Sequence, residues 1–146
     1  ISKYQVQMFI EEKKQWIEKH LKEISERQMS NKILSEEERL KGVQKALCVI
    51  PERVEYFAEM MNVTYGRITI REQKTRWGSC SSKGNLNFNW KLVLMPEEVL
   101  DYVVVHELAH RKEMNHSERF WNHVEKVLPD YQARRKLLRE LEHRHL

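Results

Sequence analysis

His106-Glu107-Leu108-Ala109-His110 sets two imidazoles four residues apart, with a carboxylate beside the first. On a helix, positions i and i+4 lie on one face a turn apart, so both rings can converge on a single ion. Glu107, next to a ligand, can reach a water on that ion without binding the metal. A bound zinc lowers the pKa of such a water from ~15.7 to about 7, and a nearby carboxylate then removes its proton. The pattern is H-E-x-x-H, the zinc-hydrolase signature. Residues 102–105, Tyr-Val-Val-Val, lead into it and would bury the helix against a core, giving the water-excluding wall that a metal site needs. The plain alternative is a helix whose histidines are only surface residues.

A catalytic zinc takes three protein ligands and leaves its fourth position to water. His116 follows His110 by six residues, and Asn115 before it tolerates a left-handed conformation that would turn the chain back. The spacing of His106, His110 and His116 equals that of the metzincin signature. However, Glu113 stands where that signature has Gly, and no Met follows Met114, which disfavours that group. Glu118, His123 and Glu125 are the other candidate ligands. A donor for the developing oxyanion is not specified; Arg76, His123 and Tyr131 are the candidates, each with an ordinary structural reading beside it. Cys80, in a Gly-Ser-Cys-Ser loop, reads as a small buried apolar residue rather than a thiolate nucleophile. Trp77 reads as a packing anchor.

The elements that must position these groups follow from periodicity. Residues 6–24 carry Val6, Phe9, Ile10, Trp16, Ile17, Leu21 and Ile24 on one helical stripe. A second helix is expected from Ser35, where Ser35 and Glu38 match a capping box, with Pro51 kinking it or opening a further helix to about Met61. The period then changes to two around Ile68 and Ile70, and again at Leu86, Phe88 and Trp90, with turn residues between. These predict a small antiparallel sheet. Pro96, Glu97 and Glu98 open the H-E-x-x-H helix, Ser117 caps the next one, and a basic helix runs from Tyr131 to about Leu141. The fold class is α+β, expected as one domain over residues 1–146 with a helical part at 1–62 and a sheet and zinc-site part at 63–146.

The 146 residues are 40% hydrophobic and 33% charged, with a net charge of +4. No apolar run approaches the ~18 residues that span a bilayer, and nothing near Ile1 reads as a secretory signal. Two cysteines make no disulfide framework, so a reducing, cytoplasmic setting is expected. The start at Ile1 reads as a fragment or a processed product. Residues 67–91 hold Arg67, Arg71, Lys74, Arg76, Lys83 and Lys91 against Glu72 alone, a net +5. Such a run is ordinarily a solvated face, and otherwise an anionic partner's footprint.

Arg76-Trp77-Gly78-Ser79-Cys80, Asn85-Leu86-Asn87-Phe88-Asn89-Trp90, residues 102–110 and Asn115-His116-Ser117-Glu118-Arg119-Phe120-Trp121 together resemble the YgjP-like zinc metallopeptidases, with a more distant similarity to SprT-like zincins. The resemblance runs from the Trp16-Ile17 helix to the region of Leu138. It implies a minimal zincin-like domain, zinc on His106, His110 and His116, Glu107 as general base, and peptide or protein substrates. Members of that family usually carry a further N-terminal β-rich segment, and this chain starts where the helix after it would.

Zinc-activated water attacks phosphorus as well as carbon, so hydrolysis of a phosphoanhydride or nucleotide is the alternative chemistry. A nucleic-acid binding module with structural zinc, or a protease localised by nucleic acid, is a further alternative, drawing on the basic segment and on Arg134, Arg135, Lys136 and Arg139. A structural zinc normally has four protein ligands, often Cys, which weighs against the module. Substrate-binding residues and oligomeric state are not readable.

Overall fold

The computed structural model describes residues 26–143, and side chains from residue 35 onward. The expected helix at residues 6–24 lies outside the described residues. Helix α1 spans Glu26–Met61, strand β1 Ile68–Arg71, β2 Gly78–Cys80 and β3 Leu86–Asn89. A 3-10 helix comes next at Trp90–Leu94, then α2 at Glu97–Ala109, α3 at Glu118–Val127 and α4 at Tyr131–Glu142.

Helix α1 is continuous through both positions where the sequence suggested a boundary. Ser35 lies within it rather than capping it, and Pro51, which cannot donate to the carbonyl one turn back, neither ends it nor opens a new helix. The reason is tertiary: Val43, Ala46, Ile50, Val54, Phe57, Ala58 and Met61 form one buried face across the proline. The helix stops at Asn62, whose φ of 56° is left-handed. There the Asn62 amide donates to the Glu59 carbonyl and the Val63 amide to that of Ala58, which satisfies two of the last four carbonyls.

That buried face packs on the 3-10 helix and on α2. A Cβ at Gly42 would overlap the Trp90 ring, so the residue that weakens helix propensity is the one that lets the indole lie against the helix backbone. Arg53 clamps α1 to α2 by donating Nε and Nη2 to the two oxygens of Asp101, both at 2.9 Å. Arg39 reaches Glu72 at 2.7 Å, and its guanidinium holds the Glu72 carboxyl below the usual range.

The sheet is present as expected, but its pairing is mixed. The order is β1-β3-β2, with β1 parallel to β3 and β2 antiparallel to it. The stretch 85–90 therefore forms the central strand, and it ends at Asn89, one residue before Trp90. Asn89 is buried and ends it: its Nδ2 donates to the carbonyls of Gln73 and Arg76, and its Oδ1 accepts from the Lys91 amide to cap the 3-10 helix. This pins the loop before β2 and brings β2 against α2. Among the described residues, no helix is long and apolar enough to cross a membrane.

Candidate metal centre

Helix α2 is buried nearly all round, with Val99, Leu100, Val103, Val104, Val105 and Leu108 in the core. The apolar run before the motif thus fixes the helix, and His106 and Glu107 emerge from its last turn while His110 forms its C-cap. Beyond His110 the chain folds through tight turns, with the Arg111 amide donating to Leu108 and those of Lys112 and Glu113 to Ala109. Asn115 does not take the left-handed conformation expected of it, since Asn62 is the non-glycine residue with positive φ among those described. His116 is instead set by the cap of α3: the Ser117 side chain accepts from the Phe120 amide at 3.3 Å and starts the helix at the next residue.

His106, His110 and His116 come together with one ligand atom each, all within 4.8 Å of one another. His110 is buried, His106 half-buried and His116 exposed. Their ring centroids are 4.9–5.1 Å apart. Phe120, fully buried, lies under all three at 5.0, 4.6 and 4.9 Å. Glu118 and Glu125, the alternative carboxylate ligands, are exposed on α3 and do not join the cluster.

The tautomer of His110 is decided by its partner. Its Nδ1 lies 3.2 Å from the Glu113 carbonyl, which can only accept, so Nδ1 carries the proton and Nε2 keeps its lone pair. An outer hydrogen bond to a backbone carbonyl is how a metal-binding imidazole is held in orientation. His106 Nδ1 likewise faces Glu107 Oε2 at 3.2 Å, leaving its Nε2 free. Burial, and then the neighbouring His106 and His110, push the His116 pKa below its usual value, so this ring favours the neutral form that coordinates. The donor set fits a nitrogen-bound zinc.

The three histidines open into a cleft of about 320 Å³ that Glu107, Arg76, Gly78, Ser79 and Cys80 also line. Glu107 is buried at 6% exposure. Of the six basic residues in 67–91, Arg76 is the one that borders the cleft; Arg67 and Arg71 belong to β1 and its approach, on the opposite edge of the sheet from β2. Among the oxyanion candidates, His123 and Tyr131 do not line the cleft. Tyr131 instead stacks on Trp121 at 5.3 Å, with Arg135 over the same indole at 4.9 Å. Cys80 Sγ donates to the Ser81 carbonyl at 3.4 Å, and burial, then the Glu107 charge, push its pKa up, which keeps it a thiol. Trp77 is buried as a packing anchor.

Two residues at the site carried no sequence signal read as chemical. Phe120 supports the histidines from below. Tyr102, one turn before His106, puts its ring 5.9 Å from that imidazole, and burial pushes its pKa up to about 12. The i, i−4 spacing from His106 was the available clue to Tyr102.

The family model for the YgjP-like metallopeptidase domain matches residues 38–141. The chain belongs to the YgjP-like metallopeptidase family. This YgjP-like domain covers the sheet, the histidine cluster and most of α1 and α4. In fold it is similar to the metallopeptidase zymogen abylysin of Pyrococcus abyssi, at 24% identity and a TM-score of 0.57, over 66% of this chain and 95% of that one. It is also similar to the metallopeptidase zymogen jannalysin of Methanocaldococcus jannaschii, at 26% identity and a TM-score of 0.55, over 63% of this chain and 96% of that one. No curated protein matches it.

Proposed function

We propose that this YgjP-like chain is a zinc-dependent peptidase in which His106, His110 and His116 hold the ion and Glu107 is the general base. The observation that carries this reading is the convergence of three imidazole nitrogens within 4.8 Å at a cleft that Glu107 shares. Three nitrogen donors without a fourth protein ligand among the described residues suit a catalytic zinc rather than a structural one. Zinc bound there supplies Lewis acidity toward a carbonyl and makes water acidic enough to attack near neutral pH.

The chain's own groups do the rest. Glu107 takes a proton from the attacking water as the C–O bond forms and returns it to the leaving amine as the C–N bond breaks. Arg76, at the cleft, donates toward the carbonyl oxygen as charge develops on it. Gly78, Ser79 and Cys80 line the cleft from β2, which pairs with β3 on one side only among the described residues. The free side of β2 supplies backbone donors and acceptors for an extended peptide.

The test is metal analysis joined to a substrate panel. One zinc per chain is expected, lost in His116→Ala and kept in Glu118→Ala and Glu125→Ala, with cleavage of peptides at both low and high salt. Turnover confined to nucleoside triphosphates would replace the peptidase reading with the phosphoanhydride one.

A further inference from the structure

Beside the histidines, α3 and α4 hold a cation that nothing neutralises. The Trp121 ring on α3 lies 5.8 Å from that of His106 and 6.1 Å from that of His116. Arg135 on α4 is half-buried and places its guanidinium over the same indole at 4.9 Å. Stacking occupies the face of a guanidinium and leaves its edge, a rigid fork of N–H donors, free to bond. Among the described residues, none of those donors has a hydrogen-bond acceptor or a carboxylate partner. The neighbouring Arg134 shows the structural alternative: it donates to Asp130 at 2.9 Å and to the Glu98 carbonyl at 3.1 Å, which ties α4 to α2.

Arg135 also borders the way out of the metal cleft. A smaller cavity, of about 140 Å³, continues that cleft, sharing Gly78, His106 and Glu107 with it and reaching α4 at Leu138. Arg135 precedes Leu138 by three residues, a spacing that sets both on one side of the helix. Burial raises the pKa of Tyr102, which lines the same cavity, and the charge of Arg135 opposes that rise. Glu107 is the one carboxylate lining either cavity among the described residues.

This arrangement discriminates between substrates. A carboxylate reaching Arg135 gains a charge-assisted pair that can be bidentate, on a guanidinium already held in place. A lysine or arginine is repelled there, and a neutral side chain gains no charge interaction. An extended chain advances ~3.3–3.6 Å per residue, so a residue within about three positions of the cleaved bond covers the distance across Trp121. We propose that Arg135, stacked on Trp121, is the specificity-determining residue of a carboxylate subsite, which takes an Asp or Glu side chain or the C-terminal carboxylate of the peptide. The inference rests on the peptidase reading above.

The experiment compares peptides that differ only in Glu, Gln or Lys at each of about three positions on either side of the cleaved bond, and one peptide as C-terminal acid and amide. Zinc-loaded wild type, Arg135→Gln and Arg135→Glu are used. On one side of the bond Glu should exceed Gln in kcat/KM by about three- to tenfold at low ionic strength, through KM, with Lys below Gln. That margin should shrink as salt rises, as it does for a partly exposed ion pair. A C-terminal source would show instead as acid over amide by a similar factor. Arg135→Gln should bring the ratio toward unity, and Arg135→Glu should turn it in favour of Lys, a response that a merely structural stack on Trp121 would not give. A preference that survives in Arg135→Gln, or an equal loss for every peptide in that variant, would overturn the subsite.

A second readout needs no turnover. The Trp121 indole N–H resonance of zinc-loaded Glu107→Gln protein, assigned by its absence when Trp121→Phe is added, is followed during titration with a tetrapeptide amide containing one Glu or one Gln. It should saturate at lower concentration with the Glu peptide, and the difference should vanish when Arg135→Gln is added. Selective response to Glu, with no peptide cleaved by the wild type, would keep the subsite and remove the peptidase reading. Cleavage of peptides with Glu equal to Gln everywhere and acid equal to amide would do the reverse. A resonance that answers a nucleoside triphosphate and neither peptide, or none of the three, overturns the carboxylate subsite.

Discussion

Gly78 on β2 lies directly against Glu107 on α2: a Cβ at position 78 would stand 3.1 Å from the Glu107 Cγ. The same atom would meet the Asn87 carbonyl and the Phe88 ring at 3.2 Å, and neither backbone nor core ring can retreat. The glycine therefore lets the sheet close onto the metal helix and sets where the carboxylate rests. Gly78→Ala should displace Glu107, leave zinc binding intact and lower kcat/KM for peptides by about 10–100-fold, since ~1 Å of misplacement can cost that much. Metal content and peptide kinetics on the same preparation check it.

Phe120 touches all three histidine rings and is fully buried. Phe120→Ala should destabilise the fold by about 3–5 kcal/mol, the range for a large core ring. It should also weaken zinc binding by about 10–100-fold, as loss of a ligand's outer support does. Denaturant titration of the metal-free protein and competition with a zinc chelator measure the two effects separately.

The Arg53–Asp101 pair ties α1 to the metal helix, with Asp101 nearly buried and Arg53 partly exposed. Arg53→Ala strands the carboxylate and should cost about 1–3 kcal/mol. Urea denaturation of Arg53→Ala, Asp101→Asn and the double variant should show that the two losses are not additive.

His116 has a pKa pushed below 6.5 by burial and by the other two imidazoles. In the metal-free protein it stays neutral as pH falls through 6.5, while the unfolded chain takes up a proton there. The unfolded state then binds more protons, so this contribution to stability is complete above 6.5 and declines as pH drops toward the lower folded pKa. Unfolding measured across that window should slope less in His116→Ala than in wild type.

The histidine cluster was legible because it depends on local geometry. The i, i+4 spacing of His106 and His110 and the Ser117 cap are short-range features, and they place His116 without a left-handed conformation at Asn115. The features that the chain alone did not disclose depend on elements far apart in sequence. The parallel pairing of β1 with β3 and the edge position of β2 arise from long-range register. The continuity of α1 through Ser35 and Pro51 comes from a buried face packed on α2 and the 3-10 helix, which outweighs local stop signals. Phe120 and Tyr102 read as ordinary core residues until α2 and α3 bring them beside the histidines, and Gly78 is informative only once Glu107 lies over it. The basic stretch 67–91 divides in space, with Arg76 at the cleft and Arg67 and Arg71 across the sheet.

The central claim is that Glu107 acts on water at a zinc held by the three histidines, and peptide turnover by zinc-loaded Glu107→Gln tests it most directly. The amide keeps the shape of the side chain and removes the base. Zinc should remain at the wild-type level and kcat should fall by about 10²–10⁴-fold, the usual contribution of a general base. Wild-type turnover by folded, fully zinc-loaded Glu107→Gln protein would contradict it.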